Sequence, residues 1–385
     1  MNRSPSPAPE RAGVTSNDLP TGIARGIASG ATRLYLRPLV LGPDSAPGGA
    51  LRLAGGPLLF EACELLIRNL AEPARIDAWR RPLSSLLDWA KGEGPSVASL
   101  LTSWIDRLTA PRPPFAGLAL DRPRLMGVLN ATPDSFADGG AYRETAAAIA
   151  HGQRLIAEGA DMVDIGGEST RPRSASVSVE EELGRVCPVI EGLAGASVPL
   201  SIDTRRAAVM AAALDRGARA VNDVSALTFD PESLALVAER HAPVVLMHMR
   251  GLPATMHEHT GYDNVVLDVF DELAARIEAC RAAGIAETDI AVDPGLGFAK
   301  TSDQNAALLR ALSLFLGFGM PVVVGASRKG LFRAVRQSAQ PEARLPASLA
   351  SAILALDQGA QILRVHDLAE TAQALAVWRA LRGLP

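Results

Sequence analysis

Cysteine is scarce in this chain of 385 residues, and the three present, Cys63, Cys187 and Cys280, are odd in number and widely spaced among apolar or helical sequence. That usage favours reduced, buried thiols over a disulfide framework or a zinc site. No run of about 18 uninterrupted apolar residues offers a membrane span. The opening stretch MNRSPSPAPERAGVTSNDLP is rich in Pro and Ser and lacks the apolar centre of a signal peptide. Residues 1–30 are therefore expected to be a disordered tail, and the location cytoplasmic. An excess of one charge is missing too: the net charge of −4 gives no global reason for a nucleic-acid or membrane partner, so any anion site must be local. A G-x-G-x-x-G turn after a first strand is also lacking, which weakens a dinucleotide-binding reading.

What the chain has instead is one device used eight times from Leu125 onward, a short apolar run ending abruptly in polar groups. LMGVL ends at Asn130, MV at Asp164, PLSI at Asp203, and ARAV at Asn222 and Asp223. PVVLM ends at His248, IAV at Asp293, PVVVGA at Ser327, Arg328 and Lys329, and ILRV contains Arg364 and ends at His366. Helical stretches alternate with the runs: 143–158, 179–193 behind a Ser178 cap, 207–216, 231–240, 265–283, 304–312 and 347–358. Eight such runs, alternating with helices to the end of the chain, predict an α/β fold, a (β/α)8 TIM barrel over residues 119–385 with every run-end on one ligand-binding rim. An open doubly wound sheet is the runner-up.

A barrel takes about 250 residues, so roughly 120 are left over. Residues 31–118 read as a small α+β extension: a strand at TRLYLRPLVL, then a short strand, a Gly55-Gly56-Pro57 turn and a helix in ALRLAGGPLLFEACELLIRNL. A second helix follows, with Val97, Leu100, Leu101, Trp104, Ile105 and Leu108 on one face and Ser96 placed to cap it. The extension carries no nucleophile constellation or phosphate loop. Pro-rich 110–124 connects it to the barrel.

The rim has a consistent chemistry. Asp203, Asn222 and Asp293 are acceptors suited to a flat heterocycle with several N–H donors, unless Arg205, Arg206 or Lys300 pair with them. Arg328, Lys329, Arg364 and His366 form a cationic group on an acidic protein, pointing to a phosphate-bearing substrate. The first loop, NATPDSFADGG, sets Phe136 between Ser135 and Asp138 ahead of a Gly pair, as a loop built to close does. The second, GGESTRPRS, offers Thr170 and Arg171 to an anion. His248 reads as a satisfied rim histidine rather than a catalyst.

In order and spacing, LMGVLNATPDSFADGG, MVDIGGESTRPRS, SIDTRRAAVMAAALDRGARAVNDVSAL, VVLMHM, VDPGLGFAKT, VVVGASRKG and ILRVHD resemble dihydropteroate synthase from about Arg124 to the end. The resemblance implies a dimeric TIM-barrel transferase of folate biosynthesis that joins p-aminobenzoate to 7,8-dihydropterin-6-ylmethyl diphosphate with Mg²⁺. It implies a pterin pocket of Asp203, Asn222, Met247, Asp293 and Lys329 with Phe298 and Gly325 as walls. It places the diphosphate on Asn130, Thr170, Arg171, Arg364 and His366, with Asn130 the Mg²⁺ ligand and Asp164 an orienting carboxylate beneath. Phe136 and Pro172 belong to loops that close over the pterin and form the aminobenzoate site. Catalysis is expected to rest on Asp203, Lys329, Arg364, His366, Asp164 and Asp138.

Departures from the family pattern are Arg173 and Ser174 after Pro172, Ala137 for a common Ser, Ala299 for a common Gly, and Gly330 where some members carry Ser. They bear on aminobenzoate and sulfonamide binding. Two other readings are a noncatalytic pterin-binding paralogue and a barrel that moves a methyl group from methyltetrahydrofolate to a corrinoid.

Overall fold

The computed structural model describes residues 18–42, 48–131, 140–169, 176–332, 340 and 342–384. The extension comprises α1 (Ile23–Ala28), β1 (Thr32–Leu41), β2 (Leu51–Arg52), β3 (Leu59–Asn69), β4 (Ile76–Pro82), α2 (Leu83–Glu93) and α3 (Pro95–Thr109). β3 is the centre of an antiparallel sheet, paired with β1, β2 and β4. The helix expected over that segment is therefore a strand. Its two faces explain the misreading: Cys63, Leu65 and Ile67 enter the main core with Leu86 and Leu101 of the helices, while Leu66 joins Tyr35 and Ile76 on the opposite side. A strand covered on both faces carries apolar residues at successive positions, so no period of two remains to tell it from a helix.

Ser96 does not cap α3. Gly94 is the N-cap and Pro95 the first helical residue, its missing N–H being one that a helix start leaves unpaired anyway. The disordered-tail expectation also fails for residues 18–30. The indole N–H groups of Trp79 and Trp89 donate to the carbonyls of Asp18 (3.0 Å) and Pro20 (2.7 Å), and the Glu93 carboxylate receives the Gly22 and Ile23 amides at the start of α1. Residues 1–17 lie outside the described residues.

The barrel strands are β5 (Arg124–Asn130), β6 (Met162–Gly166), β7 (Leu200–Asp203), β8 (Ala220–Asp223), β9 (Val244–Met247), β10 (Ile290–Asp293), β11 (Val323–Val324) and β12 (Ile362–Val365). Their parallel order is β10-β9-β8-β7-β6-β5-β12-β11, and a parallel bridge from Val292 to Val322 closes the ring. The open-sheet alternative is thereby excluded. The alternating helices are α4 (Gly140–Ala157), α5 (Val179–Leu193), α6 (Ala207–Asp215), α7 (Ser233–Glu239), α8 (Val265–Ala282), α9 (Ser302–Arg310), α10 (Leu345–Asp357) and α11 (Leu368–Ala380). As expected, Ser178 caps α5, accepting from the Glu181 amide at 3.1 Å.

The connector does more than span. Phe115 and Leu118 exchange backbone hydrogen bonds across Ala116 and Gly117, both at positive φ (51° and 82°), as in a type I′ turn. That turn presents a fully buried Phe115 to Met126, Met162, Ala220, Val245, Ala291, Val323 and Ile362, closing the barrel floor opposite the ligand rim. The extension grips α8: the Tyr35 hydroxyl donates to Asp271 (2.9 Å) and Arg68 to Asp268 (2.6 Å). All three cysteines are free. Among the described residues, no helix is long and apolar enough to cross a membrane.

Candidate active site

At the carboxyl end of the ring, β12 sends Arg364 across to the carboxylates of β6 and β7. Its Nε donates to Asp164 Oδ2 at 2.6 Å and its terminal nitrogen to Asp203 Oδ2 at 2.7 Å. From β8, the Asn222 amide donates to the same Asp164 oxygen at 2.8 Å. Asp164 is wholly buried, and among the described residues its Oδ1 and that of Asp203 have no hydrogen-bond partner. Two buried carboxylate oxygens lacking donors, beside an oriented amide, can receive the N–H edge of a ligand. Burial pushes the Asp203 carboxyl up to about 7, with the Arg364 guanidinium opposing and the Asp164 carboxylate reinforcing the shift.

Met247 and Phe298 form an apolar wall with Val224, Met256 and Ala299. Lys329 lies over the Phe298 ring with Nζ 4.4 Å from the centroid, and donates to the Leu296 carbonyl at 2.7 Å. Burial lowers its ammonium to about 8, and Asp293 opposes that. Asp293 is itself raised by burial, while Lys329 and the Gly295 amide, donating at 2.7 Å, hold it down. A Cβ on Gly325 would lie 3.7 Å from Lys329 Nζ and 3.8 Å from the Arg364 Cβ, so the absence of a side chain keeps space open between the two cations. Ser327 anchors His366, its hydroxyl standing 3.1 Å from the backbone N–H and 3.2 Å from Nδ1.

The structure thus brings together Asp164, Asp203, Asn222 and Arg364, and, on the other side, Met247, Phe298, Asp293 and Lys329. Asn130 ends β5, half-buried and in register with Gly166 of β6. Phe136, Asp138, Thr170, Arg171 and Pro172 lie outside the described residues. Arg328 departs from the expected cationic group: its guanidinium is spent on Asp367, with Nε 3.1 Å from either oxygen, and its backbone is left-handed (φ 57°). It turns the chain so that the next residue, Lys329, faces the pocket.

The anticipated rival pairings go elsewhere. Arg205 donates to Glu168 at 2.7 Å, Arg206 to Glu182 and Glu168, and Lys300 to the loop around His248, leaving Asp203 and Asp293 to the site. Glu168 and Glu182 escaped sequence reasoning. The available signal was the acidic residue in GGEST facing the pair of arginines after Asp203, at the foot of the second loop.

Known proteins are similar to this chain in sequence and fold. A family model described as "Pterin binding enzyme" matches residues 126–366. The dihydropteroate synthase of Neisseria meningitidis serogroup B (strain ATCC BAA-335 / MC58) is 45% identical over 269 residues, covering 69% of this chain and 94% of that protein. That of Escherichia coli (strain K12) is 44% identical over 261 residues, covering 68% and 92%. A solved structure of Xanthomonas albilineans dihydropteroate synthase with 4-aminobenzoic acid aligns with a TM-score of 0.67 at 48% identity, covering 71% of this chain and 99% of that one. Another, in complex with 7,8-dihydropteroate, gives 0.64 at 46% identity, covering 71% and 100%. The family match begins after the extension.

Proposed function

This chain belongs to the dihydropteroate synthase family of pterin-binding enzymes, and from that premise we propose how its residues carry out the reaction. The reaction condenses 7,8-dihydropterin-6-ylmethyl diphosphate with p-aminobenzoate to give 7,8-dihydropteroate and diphosphate. The observation that carries the reading is the buried Asp164–Arg364–Asp203 cluster with two unpaired carboxylate oxygens at a barrel mouth. Those oxygens, with Asn222 and Asp293, take the N–H edge of the pterin, while Met247 and Phe298 cover its faces. Lys329 closes the remaining edge.

The C–O bond to diphosphate breaks first, its electron pair leaving with the diphosphate. The exocyclic methylene is then cationic, and the surrounding carboxylates stabilise it. The aminobenzoate nitrogen adds its lone pair to that carbon and releases a proton. Arg364 and His366, with Thr170 and Arg171 of the second loop, answer the charge that builds on the leaving group. The loops bearing Phe136, Asp138 and Pro172 exclude water that would otherwise trap the cation.

No cluster of three or more His, Cys, Asp or Glu among the described residues could hold a metal by itself. A single amide oxygen from Asn130 nevertheless fits Mg²⁺, which fills its other positions with water and phosphate oxygens. Bound there, the ion would neutralise the leaving diphosphate. The same reading includes a cytoplasmic homodimer.

Purified chain incubated with the pterin diphosphate, labelled p-aminobenzoate and Mg²⁺ should form dihydropteroate, and Asp203→Ala or Lys329→Ala should abolish it. The absence of product from the native chain overturns the reading in favour of a noncatalytic pterin binder. Methyl transfer from methyltetrahydrofolate to a corrinoid would favour the other barrel.

A further inference from the structure

Lys300 lies at the end of the loop from β10 to α9, and its buried side chain folds back into the protein, making none of the contacts the condensation needs. Its Nζ donates to the carbonyls of Gly295 (3.0 Å) and Phe298 (2.9 Å) in its own loop, and stands 3.0 Å from His248 Nδ1 and 3.3 Å from the His248 carbonyl just after β9. Burial lowers the Lys300 ammonium to about 7 while Asp293 opposes that; in its charged form it has three protons and accepts nothing, so Nδ1 is then the acceptor. The imidazole then carries its proton on Nε2, which donates to Glu272 of α8 at 2.9 Å. Burial, with Lys300 adding to it, lowers His248 to about 4, consistent with a neutral ring. Glu272 is held in turn by Arg250, whose Nε donates at 2.9 Å.

What this ammonium organises is the apolar wall of the pocket. The loop is tight: Gly295 has φ +67°, and a Cβ there would stand 2.0 Å from the His248 carbonyl oxygen. Ala299 is left-handed at φ 52°, a backbone that L residues adopt at a cost and that glycine adopts freely. Without a cation among them, the Gly295, Phe298 and His248 carbonyls would face one another in a buried space with few other donors. Strained backbone of this kind persists where the surroundings over-determine it. Phe298, one residue before the strained position, is the ring beneath Lys329.

We infer that Lys300, oriented by His248 and Glu272, is a positioning residue that holds the Phe298 wall against the pterin ring. The inference rests on the dihydropteroate synthase reading. Its signature is selective: the pterin substrate should feel the loss, and aminobenzoate and the chemical step should not.

The test compares the native chain with Lys300→Met, Glu272→Gln and the double variant Lys300→Met/Ala299→Gly, measuring kcat, both KM values and thermal midpoint. For Lys300→Met, KM for the pterin diphosphate should rise about tenfold, the scale of a slightly misplaced binding group, with kcat and the aminobenzoate KM within about twofold. Glu272→Gln, on the half-exposed end of the chain of bonds, should shift the same KM in the same direction by less. Relieving the strain in the double variant should return part of the loss. If Lys300→Met does not fold, the Glu272→Gln shift decides. A lowered thermal midpoint with an unchanged pterin KM, or an equal fall for both substrates, overturns the inference while native turnover upholds the family reaction. Lack of turnover by the native chain instead overturns the reading on which it rests.

Discussion

Replacing Arg364 with Met should destabilise the fold in a way that depends on pH. The guanidinium bridges Asp164 and Asp203 at 2.6 and 2.7 Å, and both carboxylates are buried. Removing one member of such a group leaves uncompensated buried charge, typically at a loss of ~3–5 kcal/mol. The variant can escape that loss by protonating a carboxylate. With the opposing guanidinium gone, the Asp203 carboxyl rises further above its unfolded value, so the folded variant binds more protons than the unfolded chain. Its stability must then fall as pH rises. One extra bound proton changes stability by ~1.4 kcal/mol per pH unit, and native Asp203 takes up its own proton below about 7, so the deficit seen at pH 8 should shrink as pH falls toward 7 and level off below it. Urea unfolding of both proteins at pH 8, 6.5 and 5 measures this, and Asp164→Asn in the variant background should recover stability at the higher pH. A deficit of the same size at all three values, or none at pH 8, would refute the account and assign Arg364 a packing role only.

Further outcomes are expected. Asp203 is raised to about 7, so kcat/KM for the pterin diphosphate should climb as pH rises through that value, and Asp203→Asn should lower activity and flatten this limb. The same raised pKa means that the stability associated with this group is fullest below the unfolded value and declines toward pH 7, the opposite of a salt-bridged carboxylate. Ala299→Gly should stabilise by about 0.5 kcal/mol, since relief of the left-handed strain outweighs the added chain entropy; a lower urea midpoint would count against it. Phe115→Ala, at the barrel floor, should lose ~3–5 kcal/mol in urea unfolding while the folded protein keeps its KM values. A chelator should stop turnover without moving the thermal midpoint, and Mg²⁺ should restore it.

How legible this fold was depended on how many faces each segment buries. The eight run-ends map onto β5 through β12 because each barrel strand is short, apolar and flanked by a helix of recognisable length. In the extension the same rule misled, because β3 is buried on both faces and β4 and α2 lie in sequence with little periodicity to read. The Phe115 plug was equally invisible. A single aromatic in a Pro-rich connector has no pattern until the barrel floor beneath it exists.

For the site, residue types were legible and their pairing was not. Arg364 meets Asp164 from 200 positions away, a contact set by barrel closure rather than by local spacing. Charge balance explains why the distinction matters. Arg205, Arg206 and Arg328 neutralise Glu168, Glu182 and Asp367 around the rim, and Lys300 is absorbed by backbone carbonyls and a neutral imidazole. Those cations shape loops. Arg364 and Lys329 instead lie within reach of carboxylates that also serve the ring, so their charge can answer both substrate and acidic neighbours. Residue types alone group Arg328, Lys329, Arg364 and His366 as one cationic cluster, and only the family resemblance separates Lys329 from the anion site. The fold divides them by whether a structural carboxylate lies closer than the pocket, and no one-dimensional signal encodes that distance.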